Sequence, residues 1–185
     1  MNDILIGLAK AAILVALNQP ENFDLEDALK TYPVLKDNGA VFVTINTEPN
    51  DQLRGCIGSL QAYRPLYKDI IFNAQSAAMR DPRFQPLSVE ELQHITLEVA
   101  ILSEPQVLAY HDKKDLESKI IPLQDGVVLK HQGKQATYLP HVWEDLPKFD
   151  DFFSSLCRKA DLNENCLSEH PEISIYQAKE YKEKR

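Results

Sequence analysis

Apolar residues recur at Ile4, Leu8, Ala11, Ala12 and Val15, three or four positions apart, which predicts an amphipathic helix over residues ~3–18. Asn18-Gln19-Pro20 ends it, and Asp24 is placed to cap a short second helix through Lys30. The period then changes. Val41-Phe42-Val43-Thr44-Ile45 is rich in β-branched residues and reads as a strand, and Leu53 to Leu60 reads as its hairpin partner across the turn Glu48-Pro49-Asn50-Asp51. Pro65 suits the first turn of a long helix that runs to about Arg80, with Leu66, Ile70, Asn73 and Ala77 on one stripe. Asp81-Pro82-Arg83-Phe84 breaks that helix, and Ser88 and Glu91 have capping-box spacing for a further short turn. From His94 to Leu102 the chain alternates, with Ile95, Leu97, Val99 and Ile101 on one face of a strand. Val127–Leu129 and Ala136–Leu139 form two more strands around Gln132-Gly133. Phe149–Lys159 is an amphipathic helix and Ile173–Tyr176 a last strand. Gln177 to Arg185 reads as a charged, frayed C-terminal tail.

Strand-like runs joined by short turns imply mostly antiparallel pairing, so the expected fold is α+β, a largely antiparallel sheet flanked by helices. The 185 residues, 44% of them hydrophobic, suffice to build a real core. A formal net charge of −8 argues against a domain that grips nucleic acid through phosphates. The apolar run Ile4–Leu17 is preceded by Asp3, interrupted by Lys10 and well short of the ~20 residues a membrane span requires, so a core helix is expected there, not an export signal or membrane anchor. Cys56, Cys157 and Cys166 are an odd number without an export signal, which predicts three reduced thiols and a cytoplasmic protein.

The chemistry centres on Leu53-Arg54-Gly55-Cys56-Ile57-Gly58. In a regular strand Arg54, Cys56 and Gly58 share one face, and two residues span about 6.6 Å, close enough for the guanidinium to lower the thiol pKa. Gly55 and Gly58 weaken the strand and mark a bulge, or a place where another backbone or a ligand comes close. The competing reading of Cys56 is a small buried hydrophobe. Of five histidines His141, between Pro140 and Val142, is the most suggestive as a base, and a surface histidine at a turn is the reading it has to displace. Metal-ligand spacing is lacking, with no Cys-x-x-Cys and no His-Glu-x-x-His. Gly55-Cys56-Ile57-Gly58 matches the loop of KH domains in letters alone, because here it lies in a strand and not between helices. Asp81 and Arg83 read either as a simple turn or as polar anchors, with Asp81 the expected partner of Arg54.

The hexapeptide, together with Ala77-Ala78-Met79-Arg80-Asp81-Pro82-Arg83-Phe84-Gln85-Pro86-Leu87, closely resembles the AMMECR domain family, the system protein A of AmmeMemoRadiSam gene clusters. Gln124-Asp125-Gly126-Val127, Leu139-Pro140-His141-Val142 and Phe153 to Ala160 extend the match across nearly the whole chain, residues 1–185, as one domain. The resemblance implies an α+β fold with a larger and a smaller lobe and a cleft between them. It carries no established reaction and names no cofactor. The cluster implies company: a MEMO-type protein and a radical S-adenosylmethionine protein. Ala100, His141 and Asp161 depart from the expected serine, glutamine and glycine, and the second departure weakens a catalytic role for His141. Two functions follow as expectations. One is an enzyme or cofactor-handling protein with Cys56 as reactive thiol, Arg54 as its electrostatic partner, and Gly55, Gly58, Asp81 and Arg83 binding a small polar substrate. The other is a non-catalytic adaptor or regulatory domain that docks such a partner, with the hexapeptide as a signature of the fold.

Overall fold

The computed structural model describes residues 1–184, which divide into two compact units, residues 1–102 with 179–184 and residues 103–178. Among the described residues the order of strands within each unit rests on antiparallel registers, as the alternating pattern predicts. Among the described residues no helix is long and apolar enough to cross a membrane.

In the first unit, strand β1 (Asn38–Thr47) lies between β2 (Gln52–Gly58) and β4 (Ile95–Leu102), and the two-residue β3 (Arg64–Pro65) pairs with the start of β1. Helices α1 (Asn2–Ala16) and α3 (Leu66–Met79) cover one face of this sheet. The period-2 alternation of β1 puts Val41, Val43 and Ile45 on that face, and all three are fully buried with Leu97 and Val99 of β4. Leu5, Leu8, Ala9 and Ile13 of α1 and Ile70, Ala74, Ala77 and Ala78 of α3 close the core from above. The short α2 (Leu25–Thr31) begins where expected, with the Asp24 carboxylate accepting from the Asp27 N–H at 2.9 Å.

In the second unit the hairpin of β6 (Asp125–His131) and β7 (Lys134–Tyr138) turns on Gln132 and Gly133, both at positive φ, the backbone a tight two-residue hairpin needs. Strand β8 (Glu172–Lys182) flanks β6 on its other side and also receives the short β5 (Gln106–Val107). The core is aromatic: from α6 (Phe149–Lys159) Phe152 stacks on Trp143 of α5 (Val142–Asp145) and Phe153 meets Phe152 edge-on, and the indole N–H donates to the Asp125 carbonyl at 3.0 Å. Helix α4 (Lys113–Lys119), capped by Asp112, was not foreseen because only Leu116 of its seven residues is buried and no apolar stripe marks it.

Two expectations are corrected. The residues from Gln177 are not a frayed tail: β8 continues through Lys182, and the Glu183 N–H donates to the Leu97 carbonyl at 2.9 Å. Charged residues suit a strand whose side chains reach water, and an ion pair joins Lys182 to Glu98; Arg185 lies outside the described residues. Nor are there three reduced thiols. Cys157 and Cys166 form a disulfide, both buried in the aromatic core. The chain reverses after α6 through Asp161 at positive φ, which brings the two Cα atoms to 5.9 Å, within disulfide range. The cysteine count therefore no longer argues for a reducing compartment.

Candidate functional site

Strand β2 is the outer strand of its sheet, so one row of its backbone groups points away from β1. At Cys56 both groups of that row are occupied by the turn that follows α3. The Cys56 N–H donates to Asp81 Oδ2 at 2.9 Å, and its carbonyl accepts from Arg83 Nη2 at 3.2 Å. Pro82 has no N–H to offer in this turn, and the Asp81 carboxylate accepts from the N–H groups on either side, those of Cys56 and Arg83.

Asp81 is nearly fully buried, and it accepts also from the Arg83 backbone N–H (3.1 Å), Nε (3.0 Å) and Nη2 (2.7 Å). Burial by itself pushes its carboxyl up, but the hydrogen bonds from Arg83 and the Cys56 N–H outweigh it and hold the pKa at about 2. The Arg83 guanidinium is raised in turn, first by its hydrogen bond to Asp81, against burial, with further attraction from Asp81 and from Cys56. The guanidinium that reaches Cys56 is thus that of Arg83, through the backbone carbonyl.

The expected pairing of Arg54 with Asp81 is corrected. The β1–β2 register runs Ile45 opposite Gly55 and then Asn46 opposite Leu53, so Arg54 is the extra residue of a bulge. The bulge breaks the alternation that would have set Arg54 beside Cys56. Arg54 instead grips Glu91 with two parallel bonds, Nε to Oε1 at 2.6 Å and Nη2 to Oε2 at 3.0 Å, and Nη2 also donates to the Gln85 carbonyl at 3.0 Å. Its guanidinium lies 5.7 Å from the Phe84 ring centroid. Glu91 Oε2 accepts from the Ser88 N–H at 2.8 Å, and the carboxyl is held below its usual value chiefly by Arg54, against burial. The capping-box spacing of Ser88 and Glu91 was legible; the second use of Glu91, across space, was not.

The Cys56 side chain is half-buried, and its sulfur accepts from the Thr44 hydroxyl at 3.4 Å across the strand pair. Gly55 points to the opposite face, where a Cβ would stand 2.4 Å from the Ala77 carbonyl oxygen of α3. Gly58 lies under the ring of its cross-strand partner Phe42, 2.2 Å from where a Cβ would be. The close approach expected at both glycines is therefore made by the protein itself.

A buried polar cluster follows Gly58, where the Ser59 N–H still donates to the Val41 carbonyl at 2.9 Å, and no sequence pattern announced it. Asp69, 1% exposed, accepts from the Val41 N–H (2.9 Å), the Ser59 hydroxyl (2.8 Å) and Asn73 Nδ2 (3.0 Å), and pairs with Arg64 Nε at 3.1 Å. Asn73 also donates to the Val41 carbonyl at 3.2 Å. In the second unit His141 is exposed at the start of α5.

A model of the AMMECR1 family matches residues 6–181. Protein Ta0236 of Thermoplasma acidophilum is 36% identical over 154 residues, 82% of this chain and 74% of that protein. Protein TV1384 of Thermoplasma volcanium is 33% identical over 94% of this chain and 85% of its own length. The crystal structure of the uncharacterized protein PH0010 from Pyrococcus horikoshii superposes with a TM-score of 0.89 at 30% identity, covering 99% of this chain and 91% of that one.

Proposed function

The chain belongs to the AMMECR1 family, and on that premise we propose that it acts as a thiol site, an enzyme or cofactor-handling protein in which Cys56 is the nucleophile. The observation that carries the reading is the setting of the sulfur: a hydroxyl from Thr44 donates to it, and Arg83, fixed by a buried carboxylate, lies on the carbonyl of the same residue. A hydroxyl donor and a nearby guanidinium both favour the thiolate over the thiol. In this reading Cys56 reacts, Arg83 supplies the positive charge, and Asp81 positions Arg83. Arg54 pins β2 to the segment carrying Gln85 and Glu91, and Gly55 and Gly58 shape the strand.

The test is alkylation of the native protein by iodoacetamide, in which the sulfur displaces iodide. With Cys157 and Cys166 joined, Cys56 should be the single residue modified. Arg83→Ala should slow the reaction and move its pH midpoint upward, whereas Arg54→Ala, once shown to be folded, should leave the midpoint in place. A Cys56 that reacts only after unfolding would sink the thiol reading.

A second reading is a non-catalytic adaptor. What favours it is that Arg54, Gly55 and Gly58 each have a packing role, so three of six motif residues are explained by architecture. In either reading a MEMO-type or a radical S-adenosylmethionine protein is the proposed partner, on the strength of the family resemblance.

A further inference from the structure

The outer face of α3 differs in charge from the rest of the chain. Residues 61–80 contain Arg64, Lys68 and Arg80 and one acid, Asp69, which is turned inward and 1% exposed. The exposed charges contributed by residues 61–80 are therefore all basic, in a protein of net charge −8. At its centre is Phe72, 43% exposed. The Arg64 guanidinium lies 4.3 Å from the Phe72 ring centroid and that of Arg80 5.2 Å. Each arginine is already held. Arg64 is tied to buried Asp69 at 3.1 Å. Arg80 donates to the Ser76 hydroxyl at 2.9 Å, and that hydroxyl donates to the Phe72 carbonyl at 2.7 Å.

From this we infer that the Arg64–Phe72–Arg80 face docks an acidic segment of a protein partner, one that carries an apolar or aromatic side chain to lie on Phe72. Three physical points support this occupant. Arginine and aromatic side chains are the groups that carry most binding energy at protein interfaces. Because Asp69 and Ser76 already order the two arginines, little side-chain entropy remains to be lost on docking. A short acidic segment meets only this basic face, whereas a long polyanion such as nucleic acid would also meet the net negative remainder of the chain. The inference stands apart from the thiol reading, since it uses neither Cys56 nor Arg83.

The experiment is fluorescence anisotropy with a labelled synthetic peptide in which glutamates alternate with leucine and phenylalanine. Saturable binding is expected, weakening as salt is raised, and lost when the glutamates are replaced by glutamine. Arg80→Glu and Phe72→Ala should each weaken it by about tenfold or more. Both positions are exposed, and an unchanged melting temperature would show that the fold is intact. Four results would overturn the inference: no binding, binding unaffected by the two substitutions, a single-stranded oligonucleotide of equal charge binding more tightly than the peptide, or self-association of the protein that Arg80→Glu abolishes.

Discussion

Asp81 shows how much one buried carboxylate organises. It satisfies the outward N–H of Cys56, fixes Arg83, and starts the turn in which the Phe84 N–H donates to its carbonyl at 3.1 Å. Its pKa falls from 3.8 to about 2, so the folded state binds the proton less well than the unfolded chain does. The resulting stability is complete above the unfolded value and is lost as pH falls through the folded one. The shift corresponds to about 2 kcal/mol. Asp81→Asn should therefore unfold more easily by about this amount at neutral pH, and the gap from the unsubstituted protein should close between about pH 5 and pH 1. Urea unfolding across that range checks it; a gap that persists undiminished at pH 2 would mean that the charge on Asp81 is not the source. Arg54 makes the complementary point. Its neighbours in sequence do not set its partner, because one bulge turned it from Cys56 toward Glu91.

Among the elements, the edge strand β2 and the helix α6 each depend on a segment that returns to them. The turn after α3 covers the outer edge of β2 at Cys56, which removes a site where another strand would pair. The segment after α6 returns through a disulfide between residues nine apart. Closing a loop of that size contributes about 2.5 kcal/mol in the chain-entropy model. A thiol titration of the denatured, unreduced protein should find one thiol, that of Cys56. Reduction, or the Cys157→Ala/Cys166→Ala pair, should lower stability by about that 2.5 kcal/mol while leaving native Cys56 alkylation unchanged, because Cys56 belongs to the other unit. Finding three thiols would restore the reduced reading.

On the scale of the whole molecule, charge and hydrophobic burial set the terms. Each unit has its own core, aliphatic in the first and aromatic in the second. The net charge of −8 predicts no appreciable non-specific binding to DNA or RNA at physiological salt, despite the basic face of α3. A gel-shift assay checks this, and a tight, salt-sensitive complex would contradict it.

The amino-acid sequence by itself determined what depends on local period and turn chemistry. The alternation of Val41, Val43 and Ile45 and of Leu97 and Val99 specified the sheet and its buried face, and Pro65 and the apolar stripe behind it specified α3. The hexapeptide located the candidate site and its relationship to a family. What only the tertiary structure decided were pairings between distant residues: Arg54 with Glu91, Asp81 with the backbone of Cys56, Cys157 with Cys166, and Asp69 with Val41 and Arg64. Period-2 reasoning assumes an unbroken ladder, and a single extra residue in β2 reverses its prediction for everything beyond the bulge. A carboxylate's choice among several nearby donors follows from which of them folding desolvates beside it, and that is a property of the packed chain.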